Sequence, residues 1–274
     1  MPAILPIELL GDPPPTPFVH AGGLRALTLC WIGADQPGVA DALHDFPGLK
    51  PYTIGPLRRT ARGARCELGV CVDWLLPLLL AGIEHTRDEE IRLGRQSFRL
   101  VEMPMPTRQV AWEELMAPAA PGESRWSFHL HTPTALHRTG TENRIAVVLP
   151  DPVLYFGNWL RRWNLCAPCA INEGLLAFVE EHIAVAYCAG ETREVILDGA
   201  RRVFVGFTGE VTFAAVHPRA LTSADRTALA TLARFATYAG TGVETMRGMG
   251  QTSYTSKRNH DRYEIQEEEV FNDG

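Results

Sequence analysis

Two groups of residues, far apart along the chain, have types and spacings that could support chemistry. The first is a loop with two Gly-x-Gly pairs separated by five residues, whose glycines are Gly240, Gly242, Gly248 and Gly250. Glycine tolerates positive φ and permits close backbone approach, so the N–H groups of such a loop can face an anion. The loop follows a predicted helix and lacks Gly-Lys-Ser/Thr, which excludes dinucleotide-binding and Walker loops. The pattern indicates an anion-binding or close-packing loop.

The second group begins at His44, at the end of a predicted helix. His44 could act as a general acid or base, or it could bond the last carbonyls of that helix, and its spacing favours neither role. The segment from Phe46 to Cys66 contains no acidic residue. Its basic residues are Lys50, Arg58, Arg59, Arg62 and Arg65. This segment is the most basic in the chain and is suited to phosphate contacts.

Length and charge limit the class of protein. A chain of 274 residues has room for two moderate domains. The net charge of −6 argues against a generic nucleic-acid binder, but residues 261–274 contribute −5 of it through six acids and one arginine. The rest of the chain is therefore close to neutral. No signal peptide and no apolar run of membrane-spanning length are visible, so we expect a soluble cytoplasmic protein with no membrane contact.

Neither the cysteines nor the histidines give a strong metal-binding pattern. Cys166 and Cys169 form a lone C-x-x-C, without the second pair that a structural zinc site needs. His129 and His131 lie on the polar face of a predicted strand, where they could bind a metal or simply border solvent. We favour the polar face and predict no metal and no cofactor.

Hydrophobic periodicity predicts two cycles of strands and helices. In the first cycle, residues 1–20 are predicted to be irregular, Leu24–Ile32 a strand, and the helix near His44 follows Pro37. The later elements of this cycle are a strand at Cys66–Val72, a helix at Asp73–Ile83 and a strand or hairpin at Ile91–Val101. Residues 103–124 are predicted to be a linker.

The second cycle repeats the first. Its predicted elements are a strand at Trp126–His131, a helix at Asp151–Asn164, a helical or extended segment at Gly174–Cys188, a hairpin at Arg202–Phe213 and a helix that Ser223 caps. The fold class is therefore α+β, with two tandem ferredoxin-like domains. We expect them to span residues 1–120 and 121–260, followed by a flexible acidic tail at 261–274.

Four stretches, in chain order, carry a family resemblance. They are Ala42-Leu43-His44 with Lys50-Pro51-Tyr52-Thr53; Pro133-Thr134 with Leu149-Pro150 and Arg161-Arg162-Trp163-Asn164; Gly206-Phe207-Thr208-Gly209-Glu210-Val211-Thr212-Phe213; and the glycine loop. With these motifs the chain resembles the CRISPR-associated endoribonucleases that process precursor CRISPR RNA, members of the RAMP superfamily. The resemblance implies two ferredoxin-like domains of the RRM-like type.

The resemblance also implies an activity and a set of site residues. The activity is metal-independent cleavage of CRISPR repeat RNA to mature guide RNAs, by attack of a ribose 2′-OH that leaves 2′,3′-cyclic phosphate and 5′-OH ends. His44 takes the catalytic position, and Lys50 stabilises the transition state. RNA contacts fall on Arg58, Arg59 and Arg62 of the basic segment, and on Arg247 and the four glycines of the loop.

The resemblance leaves an alternative and a departure. The alternative is a non-catalytic RNA-binding RAMP subunit of a CRISPR effector complex, which would have no need of the His44–Lys50 pair. The departure is that residues 21–43 contain no tyrosine, where many family members have one. The partner that the resemblance implies is CRISPR repeat RNA in a prokaryotic cytoplasm. Other effector subunits, or a second copy of the chain in a homodimer, are further candidates.

Overall fold

The structure, a computed structural model, describes residues 1–12, 14–138, 145–197 and 203–255. Its first half contains one antiparallel sheet with helices against it. The elements in chain order are β1 (Ala3–Gly11), α1 (Ala21–Gly33), α2 (Pro37–Asp45), β2 (Tyr52–Ile54), β3 (Arg58–Arg59), β4 (Gly63–Val70), α3 (Leu75–His85), β5 (Ile91–Leu93), β6 (Gln96–Leu100), β7 (Arg108–Gln109) and α4 (Trp112–Leu115). The strand order is β2-β4-β1-β6-β5.

The second half repeats this arrangement. Its elements are β8 (Arg125–Thr134), β9 (Leu136–His137), β10 (Ala146–Val147), α5 (Pro152–Cys166), α6 (Leu175–His182), β11 (Ile183–Ile196), β12 (Val203–Ala215), α7 (Ser223–Ala239) and β13 (Thr252–Thr255). The main sheet has the order β11-β12-β8-β13, with antiparallel neighbours. In both halves the first strand of the ferredoxin-like unit lies between its third and fourth, so the predicted fold class is confirmed. The boundaries at 120 and 260 stay a prediction, and the acidic tail lies outside the described residues.

Two predictions for the N-terminal region were wrong. Residues 3–11 form the central strand of the first sheet, in which alternate residues from Ala3 to Leu9 are buried. The predicted strand at Leu24–Ile32 is part of helix α1. Its buried residues Leu24, Thr28, Trp31 and Ile32 follow helical spacing, but the mixed apolar sequence also fits an alternating pattern.

Two predictions for longer segments were also wrong. The predicted linker is partly structured, because Trp112 of α4 packs edge-on against Trp163 with ring centroids 5.4 Å apart. The described part of the predicted hairpin is the single strand β12, and its partner is β11 rather than its own second arm. The register of β12 with β8 shifts between Phe207 and Gly209.

The two halves meet where α7 ends. The carbonyl of Tyr238 accepts a hydrogen bond from the Thr53 hydroxyl at 3.4 Å, and the Ile54 N–H donates to the Thr245 carbonyl at 2.9 Å. A Cβ on Gly69 would overlap the Tyr238 carbonyl, so the approach of β4 to α7 requires glycine there. These contacts place the loop after α7 at the junction of the domains. Among the described helices, none combines the length and apolar character needed to cross a membrane.

Candidate functional site

A groove of about 600 Å3 lies between α1 and α2 and contains His44. Each helix contributes one face, with residues at spacings of three and four, and the glycine loop contributes Arg247. The lining residues are Gly22, Arg25, Ala26, Leu29, Cys30, Gly33, Pro37, Ala40, Asp41, His44 and Arg247. We call this surface the helix groove. The helices approach closely here, since a Cβ on Gly33 would lie 3.0 Å from that of Ala40.

His44 is exposed in the last turn of α2, while its neighbour Leu43 is buried in the first core. Burial of Leu43 fixes the face of α2 that meets the protein and leaves His44 directed to the groove. The structure therefore places the predicted catalytic histidine on an accessible wall, opposite two guanidinium groups. This arrangement could hold an anion beside an imidazole that exchanges protons.

Lys50 lies in a different environment. Its side chain is 5% exposed, and its Nζ donates to the carbonyls of Leu43 and Phe46, and to that of His44 at 3.3 Å. These carbonyls end α2 and have no helical partner, so the ammonium caps the helix and complements its dipole. Burial lowers the pKa of Lys50, with a further contribution from the Arg25 charge. The predicted transition-state role of Lys50 stays a prediction, and the observed contacts are those of a helix cap.

Replacing Lys50 with methionine is expected to destabilise the protein by about 1–3 kcal/mol, because buried carbonyls lose their donor. Amide hydrogen exchange in the last turn of α2, around His44, should accelerate more than in α3. Urea unfolding and hydrogen exchange read by mass spectrometry measure both effects. Unchanged stability together with unchanged exchange would contradict a capping role for Lys50.

The glycine loop packs against protein on several sides. The N–H of Thr241 donates to the Gly250 carbonyl at 2.8 Å, and the N–H of Gly242 to Asn158 Oδ1 at 3.0 Å. The N–H of Gly250 donates to the Pro133 carbonyl at 3.1 Å. These donors are therefore engaged within the protein, as expected for the close-packing alternative. Contact of the loop with RNA stays a prediction.

A second cavity, of about 500 Å3, lies between the two domains on the other side of the loop. We call it the arginine cleft, because its cationic lining residues are Arg58, Arg59, Arg65 and Arg108. Gly240 and Gly250 line it as well, and so do His131, Gln251 and Ser253 of the second domain. Arg65 is paired with Glu8 at 3.3 Å and with Glu67 at 3.2 Å, whereas Arg58 donates to Gln251 at 3.3 Å.

The predicted residues are thus divided between two surfaces that share the glycine loop as a wall. His44 and Arg247 line the helix groove, and Arg58, Arg59, Gly240 and Gly250 line the arginine cleft. Arg62 is exposed in the turn that leads into β4 and lines neither surface. Gly242 and Gly248 are buried inside the loop.

Two lining residues were missed by the sequence analysis, and both lie where the predicted element was wrong. Arg25 was assigned to a strand, although the spacing of Leu24, Thr28, Trp31 and Ile32 is also that of a helix. Arg108 fell in the predicted linker but lies on β7, which pairs with β1. Neither residue stands in a recognisable motif, so only a correct assignment of α1 and β7 could have drawn attention to them.

His131 borders the arginine cleft and accepts or donates a hydrogen bond with Ser253 at 2.8 Å. Its ring centroid is 4.4 Å from that of His129 on the same strand face. Within the described residues, no three histidine, cysteine, aspartate or glutamate side chains group together as metal ligands. Burial lowers the pKa of His131 to about 4, followed by the charges of His129, Arg58 and Arg108.

The lowered pKa of His131 predicts a pH dependence of stability. Between about pH 6.5 and 4 the unfolded chain binds a proton at His131 that the folded chain does not bind. Stability should therefore fall as the pH falls through this window, and H131Q should reduce the slope. Urea unfolding at several pH values tests this, with H217Q in an exposed loop as the control. Equal slopes for H131Q and the wild type would refute it.

Comparisons with known proteins were made with the sequence and with the structure. The sequence model of the family described as CRISPR-associated endoribonuclease Cas6 matches residues 128–252. No curated protein matches the chain significantly. The product complex of Cas6 (TTHB231), a Thermus thermophilus protein, is 27% identical with a TM-score of 0.81, covering 93% of this chain and 100% of that one.

More distant structures share the fold. The Cas6 (TTHA0078) product complex is 23% identical with a TM-score of 0.75, covering 93% of this chain and 99% of that chain. A protein described as Cas6-related, from Pyrococcus furiosus, is 13% identical with a TM-score of 0.62, covering 94% of this chain and all of its own.

Two tandem ferredoxin-like domains that meet at a glycine-rich loop are the fold of this chain, and a structure described as a RAMP protein, 13% identical with a TM-score of 0.60, shares that fold. The family match over residues 128–252 and the 27% identical structure agree with the resemblance carried by the motifs, so the chain is similar to the Cas6 endoribonucleases. The matched residues 128–252 include most of β8, all of β12 and the glycine loop, but not His44. The assignment of the catalytic residues therefore stays a prediction.

Proposed function

We propose that this protein cleaves CRISPR repeat RNA at one position, without a metal ion, to release mature guide RNAs. The ribose 2′-OH before the cut attacks the adjacent phosphorus as the bond to the 5′-oxygen breaks. The products carry a 2′,3′-cyclic phosphate and a 5′-OH. The 27% identical Cas6 structure with bound product supports cleavage as the activity.

The observation that carries the proposal is the accessible His44 in the helix groove, opposite Arg25 and Arg247. In-line transfer needs a base for the 2′-OH or an acid for the 5′-oxygen, and a histidine can be either. It also needs positive charge near the phosphate, which becomes more negative as the transition state forms. The helix groove offers both kinds of group on facing walls.

RNA on either side of the cut is proposed to continue into the arginine cleft. The glycine loop lies between the two surfaces, so one strand can pass from His44 along the loop toward Arg58 and Arg59. Arg62, exposed beside the cleft, extends this path. Repeat recognition then depends on shape, unstacked bases and backbone contacts, as is usual for RNA.

The decisive experiment incubates the protein with a cognate repeat RNA in the presence of EDTA. We expect cleavage at one position, and treatment with acid or a phosphatase should identify the cyclic phosphate end. Cleavage that occurs only with added Mg²⁺ would overturn the metal-independent mechanism. Tight binding without any cleavage would favour the alternative, an RNA-binding subunit of an effector complex.

The proposed function also includes a cytoplasmic location. Other effector subunits, or a second copy of the chain in a homodimer, are the proposed protein partners.

A further inference from the structure

Arg25 lies on the α1 face that borders the helix groove, one turn from Leu29 and directly across from α2. Residues Leu24 and Thr28 of α1 are buried against the sheet, so the opposite side of the helix faces His44. The Nε of Arg25 is buried and has no hydrogen-bond partner. Ordered packing around the base of the side chain therefore holds its guanidinium at the groove wall.

The other cations near His44 are already engaged. Lys50 Nζ is bonded to the carbonyls that end α2, and Arg247 forms an ion pair with Glu244 at 3.5 Å. In the described part of the chain, Arg25 makes no ion pair and donates no hydrogen bond. Asp41, one turn before His44, is the carboxylate that lines the same groove. Among the described residues, Arg25 is thus the groove cation that forms neither an ion pair nor a hydrogen bond.

We propose that Arg25 is a catalytic residue, whose guanidinium donates to the non-bridging oxygens of the scissile phosphate and stabilises the charge gained in the transition state. This assignment rests on the proposed function. The 2′-oxygen loses its proton and bonds to phosphorus, the 5′-oxygen leaves and gains a proton, and Arg25 stays protonated throughout. This is the role that the resemblance implies for Lys50, whose ammonium instead donates to the carbonyls at the end of α2.

The chemistry of the side chain supports the assignment. A guanidinium is a planar fork that matches two phosphate oxygens, and it does not lose its charge on burial as an ammonium can. The positive charge of Arg25 is close enough to Lys50 to contribute to the lowered pKa of that lysine. A donor held at the groove wall needs little reorganisation when the charge develops.

The test measures single-turnover cleavage of a repeat RNA at saturating enzyme, for the wild type, R25A and R25K. Binding is measured separately on an RNA whose attacking 2′-OH is replaced by hydrogen. We expect R25A to slow cleavage by about 10²- to 10³-fold with little change in Kd, and R25K to recover part of the rate. A non-bridging phosphorothioate at the cut should slow the wild type more than R25A. R87A, in an exposed ion pair with Glu84, is the control.

Each outcome decides the assignment. If the wild type does not cleave, the proposed function fails and Arg25 has no catalytic role. If the wild type cleaves and R25A keeps its rate, or loses only affinity, the function stands and the role of Arg25 is overturned. If R25A unfolds, R25K decides the question. An R25K variant that cleaves at the wild-type rate, and that the phosphorothioate slows as much as it slows the wild type, would refute contact between Arg25 and the scissile phosphate.

Discussion

Replacing His44 with alanine is expected to slow cleavage of the repeat RNA by about 10²- to 10⁴-fold, the usual contribution of a general acid or base. The side chain of His44 is exposed, so the thermal stability of H44A should be close to that of the wild type. RNA affinity should change little, because the arginine cleft is untouched. Single-turnover cleavage and binding to a 2′-deoxy substrate measure the two quantities.

A substrate with sulfur in place of the bridging 5′-oxygen distinguishes the two roles of His44. A thiolate leaves without a proton, so H44A should regain most of its rate on this substrate if His44 is the general acid. No recovery would assign the proton transfer to the 2′-OH instead. H217A, in an exposed loop, should cleave as the wild type does. An H44A variant that cleaves normally would remove His44 from the mechanism.

Replacing Gly250 with alanine is expected to lower the stability of the protein more than the same substitution at Gly240 or Gly248. The φ of Gly250 is +72°, and a Cβ there would overlap the Thr241 carbonyl. The N–H of Thr241 donates to the Gly250 carbonyl, so these two residues hold the ends of the loop together. Strain at positive φ alone costs about 1–3 kcal/mol, and the overlap adds to it. We therefore expect a fall in Tm of about 2–4 °C for each kcal/mol lost.

Two other glycines separate strain from overlap. Gly122 has φ of +79° and open space around its Cβ position, so G122A should show strain alone. Gly248 has φ of +94° and contacts of 3.1 Å with Phe18 and Pro56, so G248A should be intermediate. Calorimetry orders the three variants. Equal losses for G250A and G122A would show that the loop does not need close packing at Gly250.

Much of the fold could be predicted from local pattern. The elements near Cys66, Leu75, Trp126 and Pro152 have clear strand or helix periodicity, and turn residues bound them. Helix α1 could not be assigned, because its mixed apolar sequence fits both a strand pattern and a helix pattern. Strand β1 was missed because its apolar alternation is followed at once by a proline run. The error at α1 left Arg25 out of the predicted site, and the error at β1 left out the strand that pairs with β7.

The sequence by itself determined that two small α+β units follow one another, that a histidine ends an early helix, and that a glycine loop follows the last one. Those features depend on composition and spacing over short distances. Only the tertiary structure decided which cations face His44. The Lys50 ammonium is taken up by the carbonyls at the end of α2, and packing of α1 against the sheet directs Arg25 into the groove. Such proximity depends on how whole elements pack, which residue spacing does not encode.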